Sequence, residues 1–154
     1  MQYVDIEKAL TVTVKKGNEN EIIFVANPFC KHCKEAYKMV KDLVLSAEGF
    51  TLRVVYLDGK SAVGRIISKQ FISIYFLNGE DAYLKAVEEW YDWGSKNYPV
   101  WQKKFNVNNY ANAEDILIAN ENWAREAKIS ATPTILVNNK IIPNEFEVND
   151  LMYF

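Results

Sequence analysis

Cysteine and histidine are scarce in this chain. Two cysteines and one histidine occur among 154 residues, and all three fall within residues 30–33. Two cysteines exclude a secreted scaffold held together by several disulfides. Even with the histidine added, they fall short of the four Cys or His ligands of a structural zinc site. The sulfur chemistry is therefore confined to a single Cys-x-x-Cys motif.

The sequence also lacks long apolar runs and an excess of one charge. No segment approaches the roughly 20 apolar residues that a membrane-spanning helix needs, so we expect no transmembrane segment. The net charge of −2 gives no broad attraction to nucleic acid, and we expect no such partner. Residues 1–5 lack the features of a signal peptide. The protein is then either cytoplasmic or has lost a leader or a membrane part.

Apolar residues make up 49% of the chain, enough for the core of a single domain spanning residues 1–154. Residues 10–14 alternate with period two and residues 21–26 are uniformly apolar, which predicts two strands. Helical spacing of apolar residues begins at Cys33, and residues 50–57 predict another strand. The strand–helix–strand order predicts a βαβ unit with parallel strands.

The next part of the chain, from about residue 59 to 131, has no convincing strand pattern. Apolar stripes predict helices over 62–77, 80–93 and near 112–127, with a shorter piece at 98–106. We expect about 70 residues of helix here.

The last part of the chain predicts a β-hairpin. Its strands are residues 135–137 and 140–142, and Asn138 and Asn139 suit the positive φ angles of a tight turn. Residues 148–154 form a short amphipathic segment. The whole order predicts an α/β protein in which helices flank a central mixed sheet.

The Cys-x-x-Cys motif follows a predicted strand and opens a predicted helix. At a helix N-terminus, free N–H groups and the helix dipole stabilise a thiolate on Cys30. Cys33, three residues later, can attack a mixed disulfide formed at Cys30. We therefore predict thiol–disulfide exchange, with Cys30 as nucleophile and Cys33 as resolving thiol. His32 can donate a hydrogen bond or a charge to the thiolate, which would make the disulfide a stronger oxidant.

Other interpretations of this motif remain open. A structural disulfide over so few residues would stabilise the fold little. A metal site would need two more ligands from acidic residues or a second subunit, and we expect no metal. The thiols could also be inert, and His32 could be a surface residue without a partner. A module that binds a peptide or a metal without turnover is the alternative outside enzyme chemistry.

The sequence Phe29-Cys30-Lys31-His32-Cys33 after an apolar strand, with Thr132-Pro133 before a hairpin, resembles the thioredoxin superfamily. Within it, the histidine before the second cysteine, the aromatic residue before the first and a helical block resemble the DsbA-like thiol-disulfide oxidoreductases. The resemblance implies a thioredoxin fold, with a helical insertion at about 59–131 between the βαβ half and the hairpin.

The same resemblance implies roles for three residues outside the motif's cysteines. Pro133 is expected to be cis and to lie against the disulfide, with Thr132 beside it. This loop is expected to bind the main chain of a substrate peptide and to help exclude metal, and Phe29 is expected to contact the substrate. The cofactor is expected to be the redox-active Cys30–Cys33 disulfide and nothing else.

A looser resemblance concerns the setting of the protein. The runs 130–134, 137–140 and 150–154 are similar to thioredoxin-like domains of Bacteroidetes-type envelope proteins. Some of those are fused to a vitamin K epoxide reductase-like membrane domain that reoxidises the dithiol. The expected setting is the periplasm or cell envelope, with the cytoplasm as the alternative. The expected partners are protein or peptide thiols and a redox partner such as a membrane reoxidase, and the expected assembly is a monomer.

Two positions depart from the family pattern. Phe24 stands where relatives often carry a buried acid that accepts the proton of the resolving thiol, so this proton must pass to water or another group. Lys31 replaces the proline that often follows the first cysteine. A reductase or isomerase of the same chemistry is therefore the alternative to an oxidant.

All four tryptophans lie in the predicted helical block. Trp90 falls on an apolar stripe and is expected in the core. Trp93 and Trp101 flank a break at residues 94–99, which makes them candidates for an exposed surface that binds unfolded polypeptide. The competing interpretation, which we favour, is that the tryptophans form the core of the block itself.

Overall fold

The computed structural model describes residues 11–143, and they form five strands and five α-helices around one sheet. The strands are β1 (Val12–Val14), β2 (Asn20–Ala26), β3 (Phe50–Tyr56), β4 (Thr134–Val137) and β5 (Lys140–Ile142). The helices are α1 (Cys33–Ser46), α2 (Ala62–Asn78), α3 (Glu80–Asp92), α4 (Tyr98–Lys104) and α5 (Ala113–Glu126). A short 3-10 helix (Gly94–Lys96) lies between α3 and α4. None of these helices is long and apolar enough to cross a membrane.

The sheet has the strand order β1-β3-β2-β4-β5. Strands β2 and β3 are parallel, with Val25 opposite Val55, and α1 connects them, so the predicted βαβ unit is confirmed. The other pairings are antiparallel. The first strand begins at Val12, while Leu10 and the amphipathic segment 148–154 lie outside the described residues.

The two faces of the sheet carry different helices. In β2, Ile22 and Phe24 belong to the core cluster that contains the buried side of α1. The alternating residues Ile23 and Val25 pack in a second cluster with Trp123 of α5. Because both faces of β2 are covered, its sequence is uniformly apolar rather than alternating. The prediction of an α/β protein with helices flanking a mixed sheet is confirmed.

The helices predicted between residues 59 and 131 are present, with ends within two residues of the predicted ones. Helix α5 packs on the sheet itself, on the face opposite α1. Of the helices between residues 59 and 131, α5 therefore covers the sheet, while α2, α3 and α4 form a separate helical group beside the sheet. That these helices form an insertion into a smaller core stays a prediction.

Trp101 lies in the core, as the favoured interpretation predicts, and its candidacy for exposure is wrong. Its side chain is 0% exposed, and its indole N–H donates to the carbonyl oxygen of Ala86 at 2.9 Å. Gly94 makes room for the ring, because a Cβ there would lie only 2.5 Å from Cδ1 of Trp101. The interruption between α3 and α4 therefore places the indole ring of Trp101 inside the core. Trp90 is buried as expected, whereas Trp93 is half-buried.

The hairpin of β4 and β5 has the predicted turn. Asn138 and Asn139 both have positive φ, 50° and 69°, and they join the paired residues Val137 and Lys140. Since β4 is also paired with β2, this hairpin fixes the position of the residues that precede β4. Those residues include Thr132 and Pro133.

Candidate active site

Residues 27–32, here called the cysteine loop, connect the carboxyl end of β2 to the start of α1. The carbonyl oxygen of Asn27 accepts a hydrogen bond from the N–H of Cys30 at 3.0 Å. The side-chain Oδ1 of Asn27 accepts another from the N–H of Phe29 at 2.9 Å. An asparagine at this position of a turn satisfies the backbone of the next residues locally. From the other side, the indole N–H of Trp90 donates to the carbonyl oxygen of Pro28 at 2.8 Å.

Cys30 and Cys33 are joined by a disulfide, with their Cα atoms 5.4 Å apart. Cys33 is fully buried, while Cys30 is partly exposed. Of the two residues, only Cys30 has surface exposed to an incoming thiolate. This difference in exposure is what a nucleophilic and a resolving cysteine require.

Helix α1 begins at Cys33 rather than at Cys30. Cys30 lies in the turn ahead of the first helical residue, and its own N–H is bonded to Asn27. The free N–H groups of the helix N-terminus therefore belong to the first turn of α1, which starts at the buried cysteine. His32 occupies the N-cap, is exposed, and makes no side-chain hydrogen bond to the helix end. Lys31 and Lys34 are exposed beside it.

The Thr132–Pro133 peptide bond is cis, as expected. The pairing of β2 with β4 places Thr134 opposite Val25. Pro133 is one residue beyond this pair, and the cysteine loop starts two residues beyond Val25. The cis peptide and the cysteine loop thus lie at the same end of the sheet. That Pro133 touches the disulfide stays a prediction.

Phe29 presents an aromatic surface next to Cys30. Its side chain is 43% exposed and makes edge-to-face contacts with Trp90 at 5.4 Å and with Tyr98 at 6.4 Å between ring centroids. Tyr98 is itself 37% exposed. Tyr98 is not among the residues predicted from the sequence. Its only sequence signal is an aromatic residue at the start of α4, just after the interruption between α3 and α4.

An aromatic contact occupies position 24, where relatives often carry a buried acid. Phe24 is fully buried, and its ring meets that of Tyr37 edge to face at 5.9 Å. Burial raises the pKa of Tyr37, so its hydroxyl stays protonated. Within residues 11–143, no group of three or more His, Cys, Asp or Glu is arranged to hold a metal ion.

No protein-family model and no curated protein matches this sequence. Solved structures do match. The catalytic domain of ScsC from Proteus mirabilis gives a TM-score of 0.82 at 14% identity, covering 95% of this chain and 87% of that one.

Two further structures are similarly close. A periplasmic thioredoxin-like protein from Salmonella enterica serovar Typhimurium gives a TM-score of 0.80 at 14% identity, covering 97% of this chain and 95% of that one. The thiol-disulfide exchange protein alpha-DsbA2 from Wolbachia pipientis gives 0.78 at 13% identity, covering 96% and 87%. This chain therefore has the thioredoxin fold in the form found in DsbA-like and ScsC structures.

Proposed function

We propose that this protein is a thiol–disulfide oxidoreductase that acts on protein or peptide thiols through Cys30 and Cys33. The observation that carries the proposal is the disulfide between a reachable Cys30 and a buried Cys33 at the start of α1. The cis Thr132–Pro133 bond at the same end of the sheet supports it. The cofactor is the disulfide alone, because the reaction moves electrons only between sulfur atoms.

The reaction balances with two substrate thiols. A substrate thiolate attacks Sγ of Cys30, the Cys30–Cys33 bond breaks, and Cys33 leaves as a thiolate that takes up a proton. A second substrate thiolate then attacks the substrate sulfur of the mixed disulfide, which releases Cys30. The substrate loses two electrons and forms a disulfide, and the cysteine pair gains them.

We propose that oxidation of the substrate is the favoured direction. The first-turn N–H groups of α1 and the dipole of this helix stabilise negative charge at the released sulfurs. Exposed His32 beside the pair adds a hydrogen-bond donor, and Lys31 and Lys34 add positive potential. A stabilised reduced form makes the disulfide the stronger oxidant.

The substrate-binding surface in this proposal lies on both sides of Cys30. The main chain at Thr132 and Pro133 pairs with the backbone of an extended substrate segment. Phe29, supported by Tyr98, offers apolar contact to its side chains. Both surfaces suit an unfolded chain, which exposes backbone and apolar side chains together.

We further propose that the chain works as one monomeric domain in the periplasm or cell envelope. Disulfides persist in oxidising compartments, and one of the matching structures is of a periplasmic protein. Repeated turnover then needs a redox partner that takes two electrons from the Cys30–Cys33 dithiol. A membrane reoxidase is the kind of partner that this setting supplies.

Equilibration with glutathione buffers tests the direction of exchange. We expect the Cys30–Cys33 pair to be half-reduced at a potential near that of DsbA, which is about −120 mV. A value near the about −270 mV of thioredoxin would contradict the oxidising role and favour the reductase alternative. A disulfide that never equilibrates with glutathione would contradict exchange itself, and one tightly bound zinc per chain would favour a binding module.

A further inference from the structure

A groove runs between α1 and α3, close to the disulfide. It has a volume of about 500 Å³, and it begins at Lys34, the residue after Cys33. From there it follows α1 as far as Lys41. With a rise of about 1.5 Å per helical residue, this stretch is about 10 Å long. It matches about three residues of extended chain, since each spans about 3.3 Å.

The α1 side of the groove is a row of lysines. Lys34, Lys38 and Lys41 are spaced by four and three residues, so they lie on one face of the helix. Lys85 of α3 adds a fourth ammonium group. Within the described part of the chain, none of the four forms a salt bridge. A chain with a net charge of −2 thus concentrates unpaired positive charge beside its disulfide.

The α3 side of the groove carries three carboxylates, which offset part of this charge. Glu89 is already paired with Lys104 at 2.5 Å, and this partner, with a smaller contribution from Lys85, lowers the pKa of the Glu89 carboxyl. Glu88 and Asp92 are exposed and form no salt bridge with any described residue. Positive charge therefore exceeds unpaired negative charge in the groove, and the excess lies along α1.

Two tyrosines line the groove beneath these charges. The rings of Tyr37 and Tyr91 lie 5.5 Å apart. Tyr37 is 3% exposed, and its hydroxyl has no hydrogen-bond partner among the residues described. Buried hydroxyls are ordinarily paired. The unpaired hydroxyl of Tyr37 is enclosed, so the groups that a ligand can reach in the groove are the exposed charged side chains.

We propose that the groove between α1 and α3 binds a short acidic segment of the substrate polypeptide, next to its reactive thiol. This inference rests on the proposed function, because the groove would select among the thiols that Cys30 oxidises. Substrate carboxylates pair with Lys38, Lys41 and Lys85, while the thiol extends past Lys34 to Cys30, which lies just ahead of α1. The lysine row also steers acidic chains toward the disulfide before contact.

The test uses three peptides that each carry two cysteines and differ only in three adjacent flanking residues, which are Asp, Asn or Lys. Oxidation of each by the disulfide form is followed under single turnover at low ionic strength. We expect the Asp peptide to be oxidised fastest and the Lys peptide slowest. The Asp peptide should react about tenfold faster than the Asn peptide, and this rate ratio should be smaller at high salt.

A charge-matched pair of variants locates the effect. In Lys38→Gln/Lys41→Gln/Lys85→Gln, the Asp-to-Asn rate ratio is expected to fall below about two. Replacement of the same three residues by Arg keeps the positive charge and should keep the original ratio. The control is Lys16→Gln/Lys128→Gln/Lys140→Gln, which changes the net charge equally at three exposed positions outside the groove. This control should keep most of the preference.

The outcomes separate the two proposals. If no peptide is oxidised, the proposed function itself fails. If all three are oxidised equally, or the Lys peptide is fastest, exchange stands and the acidic-segment proposal is overturned. Equal loss of preference in the groove variant and in its control would also overturn the groove as the site.

Discussion

Cys30→Ser is expected to abolish disulfide exchange with protein thiols. Cys30 carries the only sulfur of the pair that a substrate can reach, because Cys33 is fully buried. Without the first sulfur no disulfide forms, and the remaining thiol is enclosed. The measurement is the rate at which a reduced, unfolded test protein loses its thiols. Full activity in Cys30→Ser would show that the roles of the two cysteines are wrongly assigned.

Cys33→Ser is expected to fail differently. Its Cys30 thiolate still attacks a protein disulfide, but a hydroxyl in place of the resolving thiol cannot break the mixed disulfide that forms. Substrate-linked protein should therefore accumulate on non-reducing gels and disappear when dithiothreitol is added. The matched control is the double variant Cys30→Ser/Cys33→Ser, which should give no such species. A mixed disulfide that forms equally in Cys30→Ser would contradict the assignment.

Trp101→Ala is expected to lower the free energy of unfolding by about 3–5 kcal/mol. The ring is fully buried between the rings of Phe71 and Trp90, with centroids 5.0 and 4.9 Å away. The substitution leaves a cavity and removes the indole hydrogen bond to Ala86. Urea unfolding measures the loss.

The neighbouring Val100→Ala provides the control for this prediction. Val100 is 52% exposed, so its truncation should cost less than about 0.5 kcal/mol. If Trp101→Ala cost no more than Val100→Ala, Trp101 would not be part of the core. Because Trp101 packs on Trp90, which bonds to the cysteine loop at Pro28, a loosened core should also slow exchange.

Much of the fold follows from local patterns in the sequence. The uniformly apolar strand before Cys30, the helical spacing after Cys33 and the Asn138-Asn139 turn each depend on neighbouring residues only. Each of these patterns therefore predicts the local element in which it occurs, and the structure confirms the strand, the helix and the turn. The disulfide-bonded pair is equally local, since its two cysteines are three residues apart.

The features that sequence reasoning missed depend on contacts between distant segments. Beside the break at residues 94–99 the sequence leaves both exposure and burial open for Trp101, and the close approach to Gly94 decides for the core. Tyr98 becomes a neighbour of Phe29 only because α4 lies beside the cysteine loop. The lysine spacing along α1 is a local pattern, but the groove is not. It exists only because α3 lies beside α1, where Tyr91 contacts Tyr37.

Transfer of the Cys30–Cys33 disulfide to protein thiols is the core of the proposed function. It is tested most directly by mixing the oxidised protein in equal amount with a reduced, unfolded protein that has two thiols, quenching with an alkylating reagent and counting the labels by mass spectrometry. We expect the test protein to lose two thiols while Cys30 and Cys33 gain two labels. Labels that stay entirely on the test protein, with the Cys30–Cys33 disulfide intact, would contradict it.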